Sequence, residues 1–175
     1  MPFMRLHLIT LLLLPLLLSA QTVTTPDKTS GHPQQPATDA QREEASPDQR
    51  ADLEEGIKHV LVSQVEAWNH GKLDAFMQGY WHSPDLTFFS GATVTRGWEP
   101  TLLRYHQRYQ AEGKEMGKLE FQDLNIDLLS RRSAVVTGRW QLTMSDGKQP
   151  HGLFTLIFKR LPVGWKIVHD HTSSE

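Results

Sequence analysis

Apolar positions follow two rhythms along this chain, one with helical spacing in the first half of the domain and one that alternates in the second. Leu53, Ile57, Val60, Leu61, Val65 and Trp68 recur every three or four residues and make one face of a helix. Its start is marked by Ser46-Pro47-Asp48-Gln49, with a serine cap, proline at the first helical position and a glutamine placed to complete a capping box. Asn69-His70-Gly71 ends it, Gly71 suiting the left-handed residue just past a helix. A shorter helix is expected from Lys72 to Gly79, with Leu73, Phe76 and Met77 inward, and Tyr80-Trp81 follows directly. Pro84 breaks the helical pattern, Leu86 to Phe89 reads as a strand, and Ser90-Gly91 turns into a second strand at Thr93 to Thr95. Beyond Arg96-Gly97, Trp98, Leu102, Tyr105 and Tyr109 share the face of a helix with Pro100 in its first turn.

From Leu119 to Thr172 the pattern becomes that of four strands in a meander. The turn clusters are Ser130-Arg131-Arg132-Ser133, Ser145-Asp146-Gly147-Lys148 and Leu161-Pro162-Val163-Gly164. Leu124, Ile126 and Leu128 are expected on one face of the first strand, Val136, Trp140, Leu142 and Met144 on one face of the second, and Phe154, Leu156 and Phe158 on one face of the third. This order predicts an α+β domain with helices on one face of a curved antiparallel sheet. The opposite face also carries apolar residues, among them Leu153 and Ile157. A sheet apolar on both sides needs a second cover, and a homodimer through the outer sheet face supplies it.

Composition narrows the setting. Residues 1–20 combine Arg5, an apolar run from Leu8 to Leu18 and the small pair Ser19-Ala20. The run is too short to span a bilayer, which takes about 20 residues, and fits a signal peptide cleaved after Ala20. Gln21 stands where a lipoprotein signal would need cysteine, so a released, secreted or periplasmic protein is expected, with no membrane attachment after cleavage. Residues 21–46 are rich in Thr, Pro, Gln, Asp and Ser and read as a disordered linker, leaving residues 47–173 as the domain. The net charge of −2, or −3 once Arg5 is removed, gives no pull toward nucleic acid. The chain has no cysteine, which excludes disulfides, thiolate metal sites and a cysteine nucleophile.

Several of these segments resemble the SnoaL-like branch of the nuclear transport factor 2-like superfamily, over residues 50–173. The signals are Ala67-Trp68-Asn69 with Gly71 behind it, Leu73-Asp74-Ala75-Phe76, Arg96-Gly97, Gly138-Arg139-Trp140 and the terminal run from Gly164 to Ser173. That run is similar to the end of the calcium/calmodulin-dependent protein kinase II association domain, which also has a Trp, a Val-His, a second His two residues on and a Ser. The resemblance implies a cone-shaped, cystatin-like fold with a pocket between the helices and the concave face of the sheet. Its implied lining is Trp68, Tyr80, Trp81, Phe88, Trp98, Tyr105, Trp140, Phe154, His169 and His171. The superfamily holds isomerases, dehydratases, epoxide hydrolases and binding modules, so fold alone does not select among them.

His169 and His171, two apart on a strand, point to one face while Asp170 points to the other. Three uses of the pair stand open. It holds a metal, given a third ligand such as His82, Asp85 or His106; it supplies a general acid or base, with Tyr80 or Tyr105 as donor to a substrate oxygen; or it is hydrogen-bonded structure at the pocket mouth or a subunit interface. No metal is assigned and no cofactor is expected. Arg96 and Arg139 are the cations expected to turn inward, toward a carboxylate of the protein such as Glu66, Asp85 or Asp170, or of a ligand. Arg104 and Arg108 are expected to face solvent. Glu66, Asp85 and Asp170 are the candidate pocket acids, and none sits in a known catalytic motif. Two readings of function follow. One is a binding domain holding a small, largely apolar ligand in an aromatic pocket lined by Trp68, Trp81, Phe88, Arg96, Trp98, Tyr105, Arg139 and Phe154. The other is a cofactor-independent isomerase, dehydratase or hydrolase using His169 or His171 with Asp85 and Tyr80.

Overall fold

A computed structural model of the chain describes residues 45–175. The expected signal peptide and all but the last two residues of the expected linker lie outside them. Helix α1 (Pro47–Asn69) begins with the expected box: the Ser46 hydroxyl accepts from the Gln49 amide and the Gln49 side chain from the Ser46 amide. Leu53, Ile57, Leu61, Gln64 and Trp68 form its buried face. At its far end the Trp68 indole donates to the carbonyls of Met116 and Gly117, and the Asn69 side chain exchanges two hydrogen bonds with Leu119. The Trp-Asn pair thus ties the helix to the start of the meander. Gly71, at φ 70°, takes the left-handed conformation that lets the chain reverse.

The remaining elements are α2 (Leu73–Met77), β1 (Thr87–Ser90), β2 (Thr93–Arg96), α3 (Trp98–Tyr109), β3 (Lys118–Ser130), β4 (Ser133–Thr143), β5 (His151–Leu161) and β6 (Gly164–Thr172). They build a six-stranded curved sheet in the order β2-β1-β6-β5-β4-β3. The mixed α+β class is as expected. One pairing departs from an all-antiparallel sheet: β1 runs parallel to β6, with Thr87 opposite His169 and Phe89 opposite His171. Just ahead of β1, the Trp81 amide donates to Ile167 and the Ile167 amide to Gly79, so the chain after α2 already follows β6 in the same direction. With the other edge of β6 taken by β5, a chain arriving in that direction can add only in parallel.

The inner face of the sheet carries Ala134, Val136 and Leu142 of β4 and Phe154, Leu156 and Phe158 of β5, all buried against α1 and α2. The first strand is less regular than its alternation predicts. Asp123 adopts φ 53° at a register shift between Gln122 and Asn125. Leu124 therefore sits at an irregular step and is exposed, while Ile126 and Leu128 keep to the core. A further shift, between β5 and β6, controls the site.

Candidate functional site

Phe158 pairs with Ile167 and its neighbour Ile157 with His169, so β6 spends one extra residue, Val168, at that step. The bulge changes which residues face inward. Trp165 and Ile167 are buried on the inner face before it, and strict alternation would continue with His169 and His171. After the bulge the inward residue is instead Asp170, which is only 3% exposed. Its Oδ2 accepts from the Tyr80 hydroxyl at 2.7 Å, and its Oδ1 from the Thr172 hydroxyl at 2.7 Å. Burial pushes this carboxyl up to about 6, against the opposing pull of the Thr172 and Tyr80 hydrogen bonds and of His171. Burial first, and the Asp170 charge second, raise the hydroxyls of Tyr80 and Tyr105 well above the ordinary tyrosine value. Both remain protonated donors at neutral pH.

Asp170 lies on the wall of a cavity of about 100 Å³ between the helices and the sheet. Its deep wall is Gln64, Trp68, Phe76, Tyr80, Phe88, Leu119, Leu142, Phe154 and Leu156, all buried. Gln64 is anchored there by donating to the Phe76 carbonyl at 3.2 Å. Tyr105, Tyr109, Phe121, Trp140, Arg104, Arg108 and Ser174 are the more exposed lining residues, and they form the mouth. The aromatic rings interlock: Phe76 lies 5.4 Å from Tyr105, and Phe88 lies 5.6 Å from Tyr105. One rim is held by the C-terminal tail, where the Trp140 indole donates to the Ser173 carbonyl at 2.9 Å.

Of the residues picked out by sequence, Trp68, Tyr80, Phe88, Tyr105, Trp140, Phe154 and Asp170 meet at this cavity. His169 and His171 do not. They face the other side of the sheet, where both pack on Phe89 and His169 Nδ1 is 2.6 Å from the Thr87 hydroxyl. Burial, then His171, hold His169 below the ordinary imidazole value. Among the described residues, no group of three or more His, Asp or Glu could hold a metal. Asp85 is exposed in a turn, where its amide donates to the Ser83 hydroxyl. Glu66 is also exposed.

The two arginines expected inside point elsewhere. Arg139 alternates with Trp140, so Trp140 takes the inner face and Arg139 the outer one, with its Nε 3.3 Å from Asp123. Arg96 is exposed on β2, opposite Thr87, and so shares the outer face. Trp98 is buried but serves the core, donating to the Met77 carbonyl at 3.0 Å and stacking on His82. Trp81 is half-buried and is not part of the cavity wall.

Arg104 and Arg108 keep solvent exposure, Arg108 more than Arg104, and also line the mouth. Each is one step along α3 from the apolar positions Tyr105 and Tyr109, close enough for a long side chain to bend over the opening. Gln64 is absent from the sequence expectations, and its helical register between Leu61 and Trp68 is the signal that points to it.

The sequence profile of the SnoaL-like domain family matches residues 57–174. A nuclear transport factor 2-like protein of unknown function from Shewanella oneidensis is 38% identical, with a TM-score of 0.64 over 68% of this chain and 97% of that one. A nuclear transport factor 2-like superfamily protein from Salmonella enterica is 18% identical, with a TM-score of 0.61 over 71% of this chain and 92% of that one. A putative calcium/calmodulin-dependent protein kinase type II association domain from Thiobacillus denitrificans is 17% identical, with a TM-score of 0.58 over 67% and 94%. The last two likenesses concern the fold alone. No curated protein matches the chain.

Proposed function

The chain belongs to the SnoaL-like domain family, and we propose that its inner cavity binds a small, largely apolar molecule carrying a hydrogen-bond donor for Asp170. The observation that carries this reading is the combination of an open aromatic cavity with one buried carboxylate on its wall. A buried carboxylate is costly unless its acceptor sites are filled. Tyr80 and Thr172 fill one site on each oxygen, and a carboxylate has about four, so acceptor capacity remains for a ligand. The volume is somewhat below that of an engineered cavity that takes benzene, about 150 Å³, which favours a single ring or a short aliphatic body. Calorimetric titration with phenol and with toluene tests it. Phenol should bind more tightly than toluene, and Ser90→Phe, which fills the cavity from β1, should abolish both. Equal binding to the filled variant would sink the reading.

A second reading is cofactor-independent proton transfer, favoured by an Asp170 carboxyl pushed up to about 6. Its carboxylate would take an α-proton from a small ketone and return it, with the Tyr105 hydroxyl donating to the enolate oxygen in between. Exchange of the α-protons of cyclohexanone in heavy water, followed by NMR, should then rise with pH through about 6 and vanish in Asp170→Asn. No acceleration over buffer would leave the binding role alone.

Two further proposals concern setting. The leader pattern supports a secreted or periplasmic protein, and the mass of the mature chain should correspond to a start at Gln21. The outer face, with Phe89, Val94, Leu153 and Ile157 in neighbouring rows, supports a homodimer through the sheet.

A further inference from the structure

We propose that the ligand of this cavity is an anion whose negative group is held at the mouth by Arg104 and Arg108, with its largely apolar body, which carries the donor for Asp170, directed inward. The inference rests on the binding reading above and adds the chemical class and the orientation.

Three observations support it. Arg104 and Arg108 stand one turn apart on α3 and both line the opening. Each guanidinium is parked near a ring that also lines the cavity, Arg104 5.6 Å from the centroid of Phe88 and Arg108 5.6 Å from that of Tyr109, which limits the freedom each would lose on binding. Among the described residues neither has a carboxylate within 4 Å, whereas Arg139 has Asp123. Arg108 spends one donor on the Tyr109 hydroxyl at 3.3 Å, and the remaining guanidinium donors of the pair are available.

The cavity is also polarised. Among the described residues its one lining carboxylate, Asp170, is on the deep side, and its two lining cations are at the mouth. A neutral apolar molecule would gain nothing from that arrangement. A molecule with an anionic group at one end would be repelled by Asp170 when inserted acid-first and attracted by the arginines when inserted ring-first, so the charges select one orientation. A planar carboxylate is the anion that the guanidinium fork fits in two-point geometry.

The test uses matched probes: benzoate, phenylacetate and 3-phenylpropionate, each against its primary amide, so that both charge and reach vary. Tryptophan fluorescence reads occupancy, because Trp68 and Trp140 line the cavity. At pH 8 and low salt at least one carboxylate should bind tenfold or more tighter than its amide, and the preference should shrink as salt is raised. In Arg104→Gln/Arg108→Gln it should fall below about threefold, and Arg104→Lys/Arg108→Lys should keep part of it. Amides binding as well as the acids, or a preference that survives the double glutamine variant, would overturn the inference and leave the cavity as a binding site. Binding of neither series while phenol still binds would overturn this inference alone; failure of phenol as well would overturn the binding reading and this inference with it.

Discussion

Asp170 links the cavity wall to the stability of this domain. Its carboxyl is held at about 6 in the folded chain against an ordinary value of 3.8, and burial is the main cause. A folded-state value raised above the unfolded one means that the folded protein binds the proton more tightly. The stability linked to this group is therefore fully present below about pH 4 and is lost as pH rises through about 6. The difference corresponds to about 3 kcal/mol. Asp170→Asn keeps the shape and removes the charge, so it should stabilise the domain by up to that amount at pH 8 and by little at pH 4. Urea unfolding of both proteins at the two pH values checks it, and an equal effect at both would show that the carboxyl titrates normally. The same group that costs stability at neutral pH is the carboxylate on the cavity wall.

At the scale of elements, β6 decides what the cavity contains. The caps and turns were legible in the chain because each rests on local chemistry: the capping box at Ser46 and Gln49, Gly71 past α1, and the bounds of α3 came from residues acting on their own neighbours. The bulge at Val168 did not, since nothing in Ile167-Val168-His169 distinguishes a bulged step from a regular one. The alternation rule correctly placed Asp170 opposite the histidines, and the bulge then assigned the inner face to Asp170. The parallel pairing of β1 with β6 was hidden for a similar reason, because it depends on the path of residues 79–81 in space. Gly152 on β5 offers a test at this scale. A methyl there would overlap the Ser173 carbonyl and crowd the Trp140 indole, both parts of the rim. Gly152→Ala should displace the C-terminal tail and cost about 1–3 kcal/mol. Amide exchange should show faster loss of protection at Ser173 and Glu175, whose amides donate to Leu153 and His151. Unchanged protection at both would mean that the tail does not depend on that close approach.

At the scale of the whole molecule, the sheet separates two surfaces of different make-up. The inner face holds the cavity, and the outer face carries the histidine pair beside Phe89, Leu153 and Ile157. A stable dimer needs about 1,000 Å² or more of buried surface, and the part-exposed apolar side chains of β1, β2 and β5, with the β6 histidines between them, are a suitable centre for one. Light scattering should give twice the mass of the mature chain at micromolar concentration, and Leu153→Arg should halve it without changing the fold, because Leu153 is 46% exposed in the single chain. A wild-type monomer at those concentrations would rule the dimer out. Binding at the inner face is open to direct test by NMR mapping of phenol on labelled protein. Saturable shifts at Tyr80, Tyr105, Phe154 and Asp170, with His169 and His171 unmoved, are the predicted result below about 10 mM phenol. Shifts clustered on the outer face, or none in that range, would contradict it.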